Sequence, residues 1–250
     1  MSSPEHFEGK EAIQHVVERQ SQGIASLAES HGAETPGHIS SYADACRESA
    51  FFILLIGIIC ERLLLSYEDI FLILSIFSSG LLSWKCGRSA WLAWARLERL
   101  NRLVEEERYE IEHHRDQERD ELLALYSAKG FEGKLLNDVV DVLMADSERL
   151  LRVMLEEELG LRLESHEHPL KQGFGAGLGV FTGCMIPLLS FTLFPYSLSL
   201  FLAGFCSIAF AAGLFAYYEK IRVISSIVWN LGIAGLALGS SYFVLDFILT

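Results

Sequence analysis

Apolar and polar positions divide the chain into three blocks. Residues 49–84 and 172–249 are dominated by apolar side chains, and between them 85–171 is charged and helical in pattern. A helix that crosses the hydrocarbon core of a bilayer needs about 20 mostly apolar residues. Five stretches reach that length, at roughly 48–66, 68–86, 173–194, 197–218 and 224–248. The connections between neighbours are short: Ser66-Tyr67-Glu68-Asp69, Phe194-Pro195-Tyr196-Ser197, and Tyr217 to Arg222. Turns of that length force antiparallel neighbours.

The middle block carries no strand pattern and reads as three helices. The first continues out of the second span to about Arg115. The second covers 116–128 and ends at Lys129-Gly130, a glycine C-cap signal. The third covers 133–158 and stops at Gly160, with Leu135, Val139, Val142, Leu143, Leu150, Val153 and Met154 forming its apolar stripe. The fold expected is all-α: a multi-pass membrane protein with five transmembrane helices and a three-helix cytosolic domain between helices two and three. Its regions are 1–46 (cytosolic N-terminal region, with a weak amphipathic helix near 11–27), 47–86 (spans one and two), 87–171 (cytosolic helical domain) and 172–250 (spans three to five).

Orientation follows from the basic residues. The first 45 residues are polar and lack the apolar core of a signal peptide, so the amino terminus is expected in the cytosol. Lys85, Arg88, Arg96, Lys171, Lys220 and Arg222 then flank cytosolic ends, and Arg62 stands near a span end on the other side. Lys and Arg set topology while Asp and Glu contribute little, so the net charge of -13 over 250 residues does not oppose this reading. The acidic excess and the lack of a basic patch argue against nucleic acid as a partner. The five cysteines are scattered without zinc spacing and read as buried thiols. No nucleophile–base set or phosphate loop stands out, so an enzyme is not expected.

Two features of the spans concern function. Glu61-Arg62 interrupts the first span, and such a pair belongs near an interface, against a partner helix or on a water path. The third span is rich in small residues (Gly173, Gly175, Ala176, Gly177, Gly179, Gly183), and the fifth repeats the theme with Gly232, Ala234, Gly235, Ala237 and Gly239. Small residues let neighbouring backbones approach closely.

The chemistry concentrates in the middle block. Glu107-Arg108-Tyr109-Glu110 and Glu118-Arg119-Asp120-Glu121 repeat one Glu-x-x-Glu unit. At 100° per residue, Glu107, Glu110, His114, Glu118 and Glu121 fall within an arc of roughly 80°. On a continuous helix all five share a face; with a break near 115, each pair still shares a face of its own helix. Either way four carboxylates can converge, and a divalent cation relieves their repulsion. The end of the third helix, with Met154 and Glu156, Glu157 and Glu158, can complete a site. Oxygen donors with one thioether suit Mn2+ or Fe2+, and nothing matches an EF-hand loop. The competing reading is a solvated acidic face held by i,i+4 pairs through Arg108, Arg115 and Arg119.

These residues resemble the vacuolar iron transporter family of divalent-metal/proton antiporters. The likeness lies in Glu118-x-x-Glu121-Leu122 with Tyr126 and Gly130, in Met154-x-x-x-Glu158-Leu159-Gly160-Leu161, and in Ile186-Pro187-Leu188-Leu189. It covers roughly 47–248. The resemblance implies a homodimer in the lipid bilayer that moves Fe2+ or Mn2+ out of the cytosol in exchange for protons, with no resident cofactor. It also implies a metal site of Glu107, Glu110, Glu118, Glu121, Met154 and Glu158. The chain departs from the family in its first two spans. The family's first-span Asp falls on Leu55 or on Cys60, beside Glu61, and its second-span Met and Glu are replaced around Trp84 and Arg88. The alternative expectation is therefore a non-transporting, membrane-attached metal sensor, sink or interaction module.

Overall fold

The computed structural model describes residues 35–157, 167–194 and 196–249. The amphipathic segment expected near 11–27 and the site residue Glu158 lie outside them. Among the described residues every regular element is a helix: α1 (Gly37–Arg62), α2 (Tyr67–His113), α3 (Arg115–Ala128), α4 (Gly133–Met144), α5 (Ser147–Glu157), α6 (Pro169–Leu193), α7 (Ser197–Tyr218) and α8 (Val223–Leu249). The helices form two units. One contains α1, α2 up to Ala95, and α6–α8; the other contains α2 from Arg96, with α3–α5.

In the first unit α1 is the central helix, packed against α6, α7 and α8. Ile53, Leu54 and Ile58 of α1 meet Leu74 of α2, Val180 and Leu188 of α6, Leu200 and Ile208 of α7, and Leu238 of α8 in one apolar core. The small residues of α6 explain how closely it lies on α1. A Cβ on Gly179 would stand 2.2 Å from the Tyr42 carbonyl oxygen, and one on Gly183 would stand 2.1 Å from Ser49 Oγ. Only glycine admits backbones at that separation. The glycines of α8 differ: a Cβ on Gly232, Gly235 or Gly239 would meet nothing within 4 Å.

Polar contacts fix the two ends of this bundle. At one end the Glu167 carboxylate accepts from the backbone N–H of His38 at 2.6 Å, and so caps the first turn of α1 from a distant point in the chain. The same carboxylate meets His38 Nδ1 at 2.5 Å and Lys171 Nζ at 2.8 Å. Burial opposes the charge on Glu167, but hydrogen bonds from Lys171 and His38 outweigh it and hold this carboxyl below its ordinary value. Next to it, His168 Nδ1 accepts from Leu170 N–H and Pro169 fills the first position of α6, a standard start signal. At the other end Arg62 pairs with Asp246 and lies 5.2 Å over the Tyr242 ring, and Tyr67 Oη donates to the Phe191 carbonyl.

Four described helices are long and apolar enough to cross a membrane: α2, α6, α7 and α8. The expected first span corresponds to α1, which is long enough at 26 residues but is interrupted by Asp44, Arg47, Glu48, Glu61 and Arg62. Hydropathy measures fitness for lipid, and α1 faces protein. Most of its charges have protein partners: Glu48 meets Lys85, Arg62 meets Asp246, and Arg47 donates to Asn230. α2 is a single helix of 47 residues, about 70 Å at the usual rise. Trp84, Trp91 and Trp94 are exposed along it, as suits side chains of a membrane–water boundary.

The second unit corrects the three-helix expectation. The third helix, expected unbroken over 133–158, is split into α4 and α5 at Ala145-Asp146. Asp146 is the reason: its carboxylate accepts from Arg149 N–H at 2.7 Å and its carbonyl from Leu150 N–H at 2.9 Å, so it starts a new helix. Arg115 and Arg149 cover the freed carbonyls of Met144 and Val142. The turn at Gly130 is as expected. Gly130 has φ +92°, and Phe131 N–H returns to the Tyr126 carbonyl, a Schellman closure.

Candidate metal centre

The second unit is built on a small apolar core of Ile111, Leu122, Val140, Leu150, Leu151, Met154 and Leu155. Helices α2, α3, α4 and α5 each contribute to it. Its charged exterior has one pair along a helix, Arg102 with Glu106 at 3.7 Å, and several across helices. Arg108 pairs with Glu148 at 2.7 Å, Arg119 with Asp141 at 2.8 Å, and Arg115 donates to Ser147 Oγ at 3.1 Å. The arginines interspersed among the glutamates thus turn outward to α4 and α5, which differs from the i,i+4 pairing expected of a solvated acidic face.

The glutamates turn inward. Glu107 is 1% exposed, and Glu118 and Glu121 are fully buried. Carboxylates are almost never enclosed to this degree by chance. Glu107, Glu110 and Glu118 each bring a carboxylate oxygen within 4.8 Å of the other two. Donors on opposite sides of a divalent ion with bonds of about 2.1 Å lie about 4.2 Å apart, so this triad can share one such ion after closing by a fraction of an ångström.

A break in the helix makes that convergence possible. In an uninterrupted helix Glu107 and Glu118 would be about 16 Å apart along the axis. α2 ends at His113, and His114 takes φ -127° and ψ 35° before α3 begins. The His114 carbonyl accepts from both Gln117 and Glu118 N–H, setting Glu118 in the first turn of α3, where the helix dipole favours a negative charge. Of the two arrangements open to the sequence, the broken one is present.

The remaining expected ligands are placed less directly. Glu121 is one turn along α3 from Glu118, buried, and outside the triad. Met154 is fully buried in the core of the same unit, beside residues that flank the glutamates in sequence. His113 is not a donor to the cluster: its ring stacks on Tyr109 at 4.0 Å and its Nδ1 meets the Tyr109 carbonyl. In the same unit, burial first and then the charge of Glu157 push the Tyr126 hydroxyl above its usual value.

One feature was missed from sequence. Glu110 is half-buried and also lines a surface cavity of about 280 Å³ with Arg102, Glu105, Glu106 and Tyr109. Glu105 and Glu106 add acids at the rim of that cavity, beside Arg102. The run Glu105-Glu106-Glu107 was the available signal, and its division into two exposed residues and one buried needed the structure.

A family comparison bears on this geometry. The model of the VIT family matches residues 92–246, more than half of the chain. The chain belongs to the VIT family. The match takes in the whole glutamate triad, Glu121, Met154 and helices α6 and α7, and begins after the apolar part of α2. No curated protein matches the chain. VIT-family proteins are metal-ion transporters and not enzymes, and the apolar helices make this member an integral, multi-pass membrane protein.

Proposed function

We propose that this protein transports divalent metal ions, Fe2+ or Mn2+, out of the cytosol in exchange for protons. The observation that carries the reading is the convergence of Glu107, Glu110 and Glu118, two of them buried, within 4.8 Å. In this reading the domain of α3–α5 is cytosolic and captures the ion from the rim at Glu105 and Glu106. Glu121, Met154 and Glu158 complete the ligand set. Metal and protons compete for the same oxygens, so capture weakens as pH falls. α1 is the fifth span, shielded by α6–α8, and the amino terminus is cytosolic. The chain acts as a homodimer, with the open glycine face of α8 as the surface that a second copy covers.

The decisive experiment is Mn2+ and Fe2+ flux into proteoliposomes by wild type and by E107Q/E118Q. Flux in the first and its loss in the second supports transport fed by the glutamate site. Metal binding without flux supports the second reading, a membrane-attached sensor or sink. That second reading draws on one observation: no acid lies along α1 between Glu48 and Glu61. Leu55 occupies an intervening position, and Trp84 and Arg88 stand where α2 leaves its apolar stretch.

A further inference from the structure

The bundle contains a charged cluster that the capture site does not use. Lys85, on α2, is only 8% exposed, and its ammonium pairs with the Glu48 carboxylate on α1. Lysine is rarely buried this far without such a partner. Asp44 stands one turn before Glu48 on the same face of α1, and Arg88 follows Lys85 on α2; both act electrostatically on Lys85. Arg47 reaches Asp44 at 3.5 Å, donates to Asn230 Oδ1 at 3.3 Å and lies 5.1 Å over the Phe215 ring. Two cationic side chains, Lys85 and Arg47, therefore reach the two carboxylates, with Arg88 one turn beyond Lys85.

Its position gives the cluster consequence. Glu48 is the last carboxylate before the apolar interior, and the next acid along α1 is Glu61. A divalent ion moving into the bundle from the Asp44 end thus meets one innermost carboxylate, and a cation already holds it.

We propose that Lys85 is a tethered cation that occupies Glu48 and competes with divalent ions for that carboxylate, so that it gates their entry at this end of the bundle. A divalent ion gains Glu48 only when the ammonium withdraws. The inference rests on the reading that the bundle is the route for metal, but its test does not require flux.

The test is Mn2+ binding to the full-length chain in nanodiscs, on an E107Q/E110Q/E118Q background that disables the capture site. The background is expected to bind Mn2+ only weakly. Adding K85M is expected to create Mn2+ binding at least about tenfold tighter than the background shows. K85R, which keeps the charge, should create none, and adding E48Q to K85M should abolish the gain. Size exclusion and thermal unfolding establish that each variant is folded, and K85Q replaces K85M if the latter unfolds. The proposal is overturned if a folded K85M or K85Q binds no more Mn2+ than the background, if K85R gains as much, or if E48Q leaves the gain intact. Flux with the capture site intact separates the two readings. Binding gained in K85M with no flux in any variant ends transport and keeps the Lys85 assignment; wild-type flux unchanged by K85M, without new binding, does the reverse.

Discussion

Glu118→Gln tests the metal centre most directly. Glu118 is fully buried and its carboxylate lies within 4.8 Å of two others. At an effective dielectric of 20, two unit charges at that separation repel by about 3 kcal/mol. A divalent ion converts that repulsion into attraction, less the desolvation of ion and ligand. Removing one of three charged donors is therefore expected to cost about 2.7 kcal/mol of binding, about a hundredfold in affinity. The assay is thermal unfolding of the purified chain with and without Mn2+. At 100 times the dissociation constant, a ligand specific for the native state stabilises by about 2.7 kcal/mol. For a chain of this size that is a rise in Tm of about 5–10 °C. In E118Q at the same Mn2+ concentration the stabilisation falls to about 0.4 kcal/mol, a shift of about 1–2 °C. E110Q, altering a half-buried ligand nearer water, should weaken binding by about tenfold. E112Q, an exposed glutamate on the same helix, should change nothing. A Mn2+ shift of equal size in wild type and E118Q would refute the reasoning, since the carboxylate would then be a structural acceptor and no ligand.

Other expected outcomes follow from the packing. Gly179→Ala should destabilise the bundle by about 1–3 kcal/mol or more, because the Cβ would meet the Tyr42 carbonyl at 2.2 Å; Gly80→Ala, with open space around it, should stabilise by up to about 1 kcal/mol, and denaturation of both in one detergent checks the contrast. Met154→Leu should cost less than about 1.5 kcal/mol and Met154→Ala about 2–5 kcal/mol; calorimetric loss of metal affinity in the stable M154L variant would identify the thioether as a ligand. The carboxyl of Glu167 is held below its unfolded value, so its contribution is full above the unfolded pKa and disappears as pH falls through the lower folded one. Acid should therefore weaken the junction of α1 with α6 in wild type. E167Q should be less stable at neutral pH by about 1–3 kcal/mol and should lose less on acidification, as followed by proteolysis at that junction.

Local order is written plainly in this sequence. Apolar runs marked the five bundle helices and Gly130 marked the end of α3, because each depends on a residue and its near neighbours. The Glu-x-x-Glu repeat marked the candidate ligands for the same reason, since helical spacing puts such pairs on one face. Features that depend on a distant partner were not legible. The apolar run placed α1, but the partners of its charges, Lys85, Asn230 and Asp246 on other helices, could not be read from it. The split at Asp146 was hidden by an apolar stripe that continues through both halves, and the cap that causes it counts for more than periodicity. Above all, the sequence left two arrangements for the glutamates, one face of a single helix or two faces of a broken one. The break at His114 and the outward turn of Arg108, Arg115 and Arg119 decided between them, because carboxylates meet in space only where the backbone bends and the neighbouring cations find better partners elsewhere.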